Sequence, residues 1–89
     1  MLKTIELLEQ VKAAYGLPSD YALAKKLGLT RGAVSKYRCQ GTTLDDKVAI
    51  EIAELLDLNP LTVVASMHIE RAERHNDETL ISFWSNYAH

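Results

Sequence analysis

The spacing of apolar residues constrains the fold of this chain more than any other feature. Apolar side chains recur every three or four positions from the start of the sequence to its end, and no apolar-polar alternation lasts long enough to compete as a strand. This pattern predicts an all-α fold. Because 89 residues suffice for one core and fall short of two, we expect a single domain over residues 1–89, folded as a compact bundle of five to six short helices.

Glycines and capping residues divide the periodic pattern into helices. Gly16 and Gly28 follow apolar segments, at the position where a helix end favours glycine. Asn59 and Pro60 are typical of a helix start, since a first-turn residue needs no backbone N–H. We predict helices over about 2–15, 20–27, 31–38 and 60–74, a fourth helix that starts near 44, and a last helix that follows a cap at 76–78 and runs to about 87.

Two of these helices carry more specific signals. Thr43 precedes Asp46 by three residues, which is similar to a capping box and predicts a fourth helix starting near Leu44. The first helix is predicted to bury one stripe, formed by Ile5, Leu8, Val11 and Tyr15.

Charge is distributed unevenly along the sequence. The formal net charge is -2, which by itself argues against a nucleic-acid partner. Residues 21–44, however, contain five basic and no acidic residues, whereas residues 45–89 contain three basic and nine acidic ones. We therefore expect one face of the domain to attract phosphate and another to repel it.

Other sequence features narrow the class of protein. Cys39 has no cysteine to pair with, so a reducing compartment is expected. The N-terminal segment lacks the pattern of a secretory signal, and no apolar stretch approaches the roughly 20 residues that cross a bilayer. These observations predict a soluble, cytoplasmic protein that does not enter membranes.

The segment from Asp20 to Tyr37 carries the most functional information. Ala24 falls where two helices would cross closely, and Gly28 falls in the tight turn between them. The second of these helices has few apolar positions, so most of its surface must face outward. Its outward-facing residues would cluster at its start, in a geometry suited to the major groove; they are Thr30, Arg31, Gly32, Ser35 and Lys36.

At this point the sequence resembles the lambda-repressor-like helix-turn-helix family, the Cro and CI type of phage and bacterial regulator. The resemblance covers about residues 2–65. It rests on Ala24, Gly28, Val34, the run SKYR over 35–38, Gly41, and the run VAIEIAELLDLNP over 48–60. Gly32 departs from the family, which commonly has a base-reading side chain there. Gly32 would either reduce the number of side-chain contacts with base edges or allow the backbone to approach DNA more closely.

The resemblance implies a transcriptional regulator of the repressor kind that reads an operator half-site in double-stranded DNA through helix 31–38. Arg31, Ser35 and Lys36 would reach base edges, Arg31 with a fork that can engage two guanine acceptors. Residues implied to contact phosphates are Lys25, Lys26, Arg38, Gln40 and Thr42. A solvated surface is the alternative interpretation of these cations.

The basic patch is small, so the resemblance also implies binding as a homodimer with two-fold symmetry. Residues 61–89 are the predicted dimerisation extension. Packing of the same residues within one chain is the open alternative. The candidate interface residues are Leu80, Ile81, Phe83, Trp84 and Tyr87.

Enzyme activity is not expected, because no nucleophile, base and orienting group can be assembled and no phosphate-binding glycine loop is present. No cofactor or small-molecule ligand is expected. His68 and His75 lack a third metal ligand at workable spacing, and a redox role for Cys39 is disfavoured. Glu70 and Glu73 are interpreted as an ordinary helix surface.

Two other functions remain open. The chain could be a protein-binding module of the antitoxin or phage-adaptor type, with its acidic C-terminal half as the capture surface. Alternatively, the basic patch could bind RNA, which predicts preference for single-stranded RNA over duplex DNA.

Overall fold

Six helices joined by short connections make up residues 2–88, the part of the chain that the computed structural model describes. Met1 and His89, the two ends of the predicted domain, lie outside the described residues. The helices are α1 Thr4–Tyr15, α2 Asp20–Leu27, α3 Arg31–Cys39, α4 Asp46–Leu55, α5 Pro60–Arg74 and α6 Glu78–Ser85. The all-α prediction is confirmed, and none of the described residues forms a strand.

Side-chain caps set most of the helix starts. Ser19, Thr30, Asn59 and Asp77 each accept a hydrogen bond from a backbone N–H in the first turn of the helix that follows. These caps agree with the sequence-based boundaries. Pro60 occupies the first turn of α5, where its missing N–H costs nothing.

The predicted start of α4 is wrong. Asp45, rather than Thr43, caps this helix by accepting a 2.9 Å hydrogen bond from the Val48 N–H, so α4 begins at Asp46. Thr43 instead contacts α5, where its Oγ1 accepts a 3.0 Å hydrogen bond from the Arg71 Nε. The predictions were also too long for α1 at its start and for α6 at its end.

The buried face of α1 also differs from the predicted stripe. Ile5 and Tyr15 are exposed, while Thr4 and Leu7 are buried with Leu8 and Val11. Thr4 can be buried because its hydroxyl donates a 2.8 Å hydrogen bond to Glu70 Oε1. Tyr15 keeps its ring at the surface and donates its hydroxyl to the Leu55 carbonyl at 2.8 Å.

The core is shared by the first five helices and the loop between α3 and α4. Its largest fully buried side chains include Leu7, Leu23, Leu44, Ile52 and Met67. Helix α5 packs against both α4 and α6. Helix α6 itself contributes no buried residue. Among the described residues, no helix has the length and apolar character needed to cross a membrane.

Helix α5 also binds the N-terminal end of α1. Glu70 Oε1 accepts hydrogen bonds from both the backbone N–H and the hydroxyl of Thr4, at 3.0 and 2.8 Å. Glu73 pairs with the Lys3 ammonium at 2.6 Å. The interpretation as an ordinary helix surface is therefore wrong for Glu70, which caps the N-terminus of α1, a helix with no side-chain cap of its own. It holds for Glu73, which is exposed.

Candidate nucleic-acid interface

Helices α2 and α3 are joined by a tight turn that fixes their relative direction. Gly28 ends α2 in the left-handed region, with φ 67°, as expected from its place in the sequence. The Leu29 N–H reaches back to the Ala24 carbonyl at 2.8 Å. Ala24 is buried, and Leu23, Leu27, Val34 and Tyr37 join it in the core. The turn thus places α3 directly against α2, with these side chains in the shared core.

Helix α3 rests on α1 and α2 through one side, and its other side is exposed. Val34 and Tyr37 form the buried side. Burial raises the pKa of the Tyr37 hydroxyl, and the nearby Asp45 carboxylate raises it further, so this tyrosine is neutral. Of the predicted base readers, Arg31, Gly32, Ser35 and Lys36 are exposed on α3, together with Thr30 at its cap. Helix α6 packs on α5 and leaves this side of α3 open.

The cap residue Thr30 already uses one of its hydrogen-bonding positions. Its Oγ1 accepts a 3.0 Å hydrogen bond from the Ala33 N–H. The hydroxyl proton is not consumed by this contact, since an oxygen that accepts still has a proton to donate. Thr30, a predicted base reader, therefore keeps its hydroxyl proton to donate to a ligand.

Arg31 has an aromatic neighbour that the sequence reasoning missed. The centroid of the Tyr21 ring, at the start of α2, lies 5.5 Å from the Arg31 guanidinium carbon and 5.5 Å from the Lys25 ammonium. Both distances fall within the range of a cation–π contact. Spacing alone could have indicated the Lys25 contact, because the two residues are four apart on one helix. The Arg31 contact crosses between helices and has no signal in the sequence.

Arg38 is partly buried and pairs with two carboxylates. Its Nε and Nη2 donate to the two carboxylate oxygens of Asp20 at 3.0 and 2.9 Å, and Nη2 also contacts Glu9. Lys12 approaches Asp20 Oδ1 at 3.3 Å. The predicted phosphate-binding residue Arg38 thus bridges α1, α2 and α3. Counting charges along residues 21–44 missed this, because both acids precede that segment.

The ion pair between Arg38 and Asp20 makes the stability of the contact between α2 and α3 depend on pH. Hydrogen bonding to the Arg38 guanidinium holds the pKa of the Asp20 carboxyl below its ordinary value of 3.8, with a smaller contribution from Lys12 and against the opposing effect of burial. A lowered pKa in the folded state stabilises the fold above the ordinary pKa, and this stabilisation is lost as the pH falls through the folded-state pKa.

We therefore expect Asp20→Asn to lower the free energy of unfolding at pH 7 by about 0.2–1 kcal/mol, a small effect because the pair is partly solvated. The difference from the native chain should shrink below pH 4, as measured by urea unfolding over pH 2.5–7. Asp57→Asn is the matched control, since Asp57 is exposed at a positive φ that asparagine tolerates. An Asp20→Asn difference that persists unchanged at pH 2.5 would contradict this account.

The loop after α3 is anchored by two arginines of α5. Arg71 donates to Thr43 Oγ1 and to the Leu44 carbonyl at 3.0 and 3.1 Å. Arg74 donates to the Gly41 carbonyl at 2.6 Å and contacts the Gln40 carbonyl at 3.4 Å. These arginines belong to the acidic half of the sequence, yet their charges lie beside the loop that contains the predicted phosphate contacts Gln40 and Thr42.

The remaining predicted phosphate contacts lie on α2. Lys26 Nζ is 4.4 Å from the centroid of the Tyr15 ring, and both Lys25 and Lys26 are exposed. They line a groove of about 540 Å³ that also contains Lys47 from α4. Asp45 and Glu51 line the same groove, so its charge is mixed. Lys47 was missed because it lies in a part of the sequence where acids predominate.

The C-terminal aromatics form a contiguous cluster on α6. Trp84 stacks on His68 of α5 with ring centroids 4.3 Å apart, and Phe83 and Tyr87 pack edgewise around it. Trp84 and Ile81 are partly covered. Leu80, Phe83 and Tyr87 remain exposed, Phe83 by 52%. Part of the predicted interface thus packs within the chain and part of it faces outward.

Within the described residues, His68, His75 and Cys39 belong to no cluster of metal-ligating side chains. His68 contacts Asp46 at 3.1 Å as well as stacking on Trp84, and no group of three metal-ligating side chains occurs within residues 2–88. Cys39 is exposed at the end of α3.

Comparison with known proteins connects the chain with a phage protein. The chain is similar to the uncharacterized protein Gp-c of Pseudoalteromonas phage PM2, with 27% identity over 82 residues that span 91% of this chain and 89% of the phage protein. No protein-family model matches the chain, and no solved structure matches it. The similarity extends over nearly the full length of both proteins.

Proposed function

We propose that this protein is a sequence-specific double-stranded-DNA-binding regulator of transcription, of the lambda-repressor-like helix-turn-helix type, that reads an operator half-site through residues 31–38. The observation that carries the proposal is the position of α3, which is braced by α1 and α2 and exposed along its outer side. An α-helix fits the major groove, where each base pair has a distinct pattern of donors and acceptors. Arg31, Ser35 and Lys36 are the base readers.

Phosphate binding would use cations on either side of α3. Lys25 and Lys26 precede α3 along the chain, while Gln40 and Thr42 follow it in the loop beside Arg74. The exposed Lys36 has no ion-pair partner among residues 2–88. Arg38, also a proposed phosphate contact, makes ion pairs with Asp20 and Glu9 in addition. This distribution supports DNA binding despite a net charge of -2.

The regulator would act as a homodimer. A single copy offers few free cations, which limits the electrostatic part of its DNA affinity. The exposed side chains of Leu80, Phe83 and Tyr87 supply an apolar surface that a second copy would cover. The two recognition helices would then read half-sites about one helical turn, roughly 34 Å, apart. Residues 61–89 would form the dimerisation extension, of which His89 lies outside the described residues.

The remaining parts of the proposal follow from this activity. A regulator of this type needs no cofactor and catalyses no reaction, and it works in the cytoplasm, where phage and bacterial DNA is accessible. The similarity to a phage protein supports a phage setting. A repressor role of the Cro or CI kind is part of the proposal that rests on the position of α3.

Gly32 offers a test of how closely α3 approaches DNA. A Cβ at this position would meet only Thr30 Oγ1, at 3.8 Å, so the protein itself does not require glycine there. Alanine is the better helix former by up to about 1 kcal/mol. We expect Gly32→Ala to raise the midpoint of urea unfolding while weakening operator binding in a mobility-shift assay. Unchanged affinity would contradict a close backbone approach.

A protein-capturing adaptor is the second candidate function, favoured by the exposed apolar residues of α6. A mobility-shift competition separates it from DNA reading. Labelled duplex from a random pool is competed with unlabelled duplex or with single-stranded RNA of the same length. The regulator proposal predicts that duplex competes better and that Arg31→Ala and Lys36→Ala reduce the shift. An adaptor would show no operator preference and would keep partner capture in both variants, while an RNA-binding protein would prefer the single strand.

A further inference from the structure

Tyr21 is an exposed aromatic residue with no place in the core. It lies in the first turn of α2 with 54% of its surface accessible. Its ring contacts two cations, Lys25 from the same helix and Arg31 from the next one, each at 5.5 Å. A single tyrosine therefore connects α2 with the first residue of α3 on the exposed side of both helices.

The contact with Arg31 adjoins a cleft between the two helices. The cleft has a volume of about 240 Å³, and Tyr21, Arg31, Val34 and Ser35 are among the residues that line it. The Tyr21 ring and the Arg31 guanidinium thus border the same space as Ser35, another proposed base reader. A long, exposed arginine would otherwise sample many rotamers. Restricting it to one rotamer when DNA binds costs conformational entropy.

We propose that Tyr21 positions Arg31 for base reading and so helps to determine operator specificity. This inference rests on the proposed function. The planar guanidinium interacts with an aromatic face more specifically than the compact ammonium of a lysine does. Restricting Arg31 before DNA arrives lowers the ordering cost of its two-pronged contact with a base edge. The Lys25 contact holds a charge near the same ring but carries no sequence information.

The inference makes a prediction for the protein without DNA. Protons of the Arg31 side chain should be shifted in the NMR spectrum by the ring current of Tyr21. We expect the shift in the native chain and in Tyr21→Phe, which keeps the ring, and its loss in Tyr21→Leu. Identical Arg31 side-chain shifts in Tyr21→Leu and the native chain would overturn the inference.

The DNA experiment uses the duplex enriched by the native chain from a random pool, and a second duplex changed at the base pair whose preference Arg31→Ala abolishes. We expect Tyr21→Leu to reduce discrimination between these duplexes about two- to fivefold, and Tyr21→Phe to retain it. Tyr15→Leu is the matched control, because Tyr15 is also exposed and also contacts a lysine, Lys26, but not Arg31. It should leave discrimination unchanged.

The outcomes separate this inference from the proposed function. If Arg31→Ala relaxes one base pair and Tyr21→Leu does not weaken discrimination there, the inference is wrong and the proposed function stands. If Tyr21→Leu weakens binding to both duplexes equally, the inference is also wrong, since that pattern is expected for a phosphate contact. If Arg31→Ala relaxes no base pair, the reading role of α3 fails, and the role of Tyr21 fails with it.

Discussion

Replacing Arg31 with alanine is expected to remove the preference for one base pair of each half-site while leaving the fold intact. Arg31 is exposed in the first turn of α3, and its guanidinium lies over the ring of Tyr21, which is itself exposed, so its loss leaves no buried group without a partner. A two-pronged arginine contact with guanine contributes about 1–3 kcal/mol of discrimination. Mobility shifts on the enriched duplex and its single-base-pair variants should therefore show a roughly 5- to 150-fold loss at one position.

Substitutions of two lysines, Lys26 and Lys3, provide controls for Arg31→Ala. Lys26→Ala should weaken all duplexes alike and lower the slope of log affinity against log salt by about 0.9, as expected for one phosphate contact. Lys3→Ala should change neither property, because Lys3 pairs with Glu73 of α5 and is not among the proposed DNA contacts. Retention of every base preference by Arg31→Ala would contradict the proposed reading surface.

Truncation of Leu44 should cause the largest loss of stability among loop residues. Leu44 lies between α3 and α4, yet it is fully buried, and its carbonyl accepts a hydrogen bond from Arg71. Leu44→Ala removes buried apolar volume and leaves a cavity, which costs about 2–5 kcal/mol. The cost should be visible as a lower midpoint of urea unfolding at an unchanged slope. For a domain of this size such a loss is a large fraction of the total stability.

Leu61 is the matched control for Leu44. It has the same side chain but is 50% exposed at the start of α5, so Leu61→Ala should change the free energy of unfolding by less than about 0.5 kcal/mol. Equal effects of the two substitutions would mean that the loop between α3 and α4 does not contribute to the core as described.

The helix boundaries were largely predictable because they depend on local chemistry. A cap such as Ser19 or Asn59 satisfies N–H groups within three residues of itself, and glycine at a positive φ ends a helix wherever it is placed. The start of α4 was wrong because Thr43 and Asp45 both suit a cap. The choice between them depends on Arg71, which lies 28 residues further along the chain.

The buried face of α1 could not be predicted for a similar reason. The predicted stripe and the buried one share Leu8 and Val11. The structure buries Thr4 instead of Tyr15, because Glu70 of α5 satisfies the Thr4 hydroxyl and N–H. Patterning along one helix carries no information about a hydrogen-bond partner on another.

The candidate site shows the same division between local and long-range information. The exposed side of α3 followed from its scarcity of apolar positions. The ion pairs of Arg38 with Asp20 and Glu9, and the contact between Tyr21 and Arg31, join residues on different helices. Local charge counts treated Arg38 as one more free cation and gave no reason to consider Tyr21.

Selection of bound duplexes from a random pool, combined with the solution mass of the protein at the same concentration, tests the central claim most directly. The account predicts enrichment of a palindromic sequence with half-sites one helical turn apart, and a mass of two chains. A pool that stays unenriched after repeated rounds with the folded protein would contradict the claim that the outer side of α3 reads DNA.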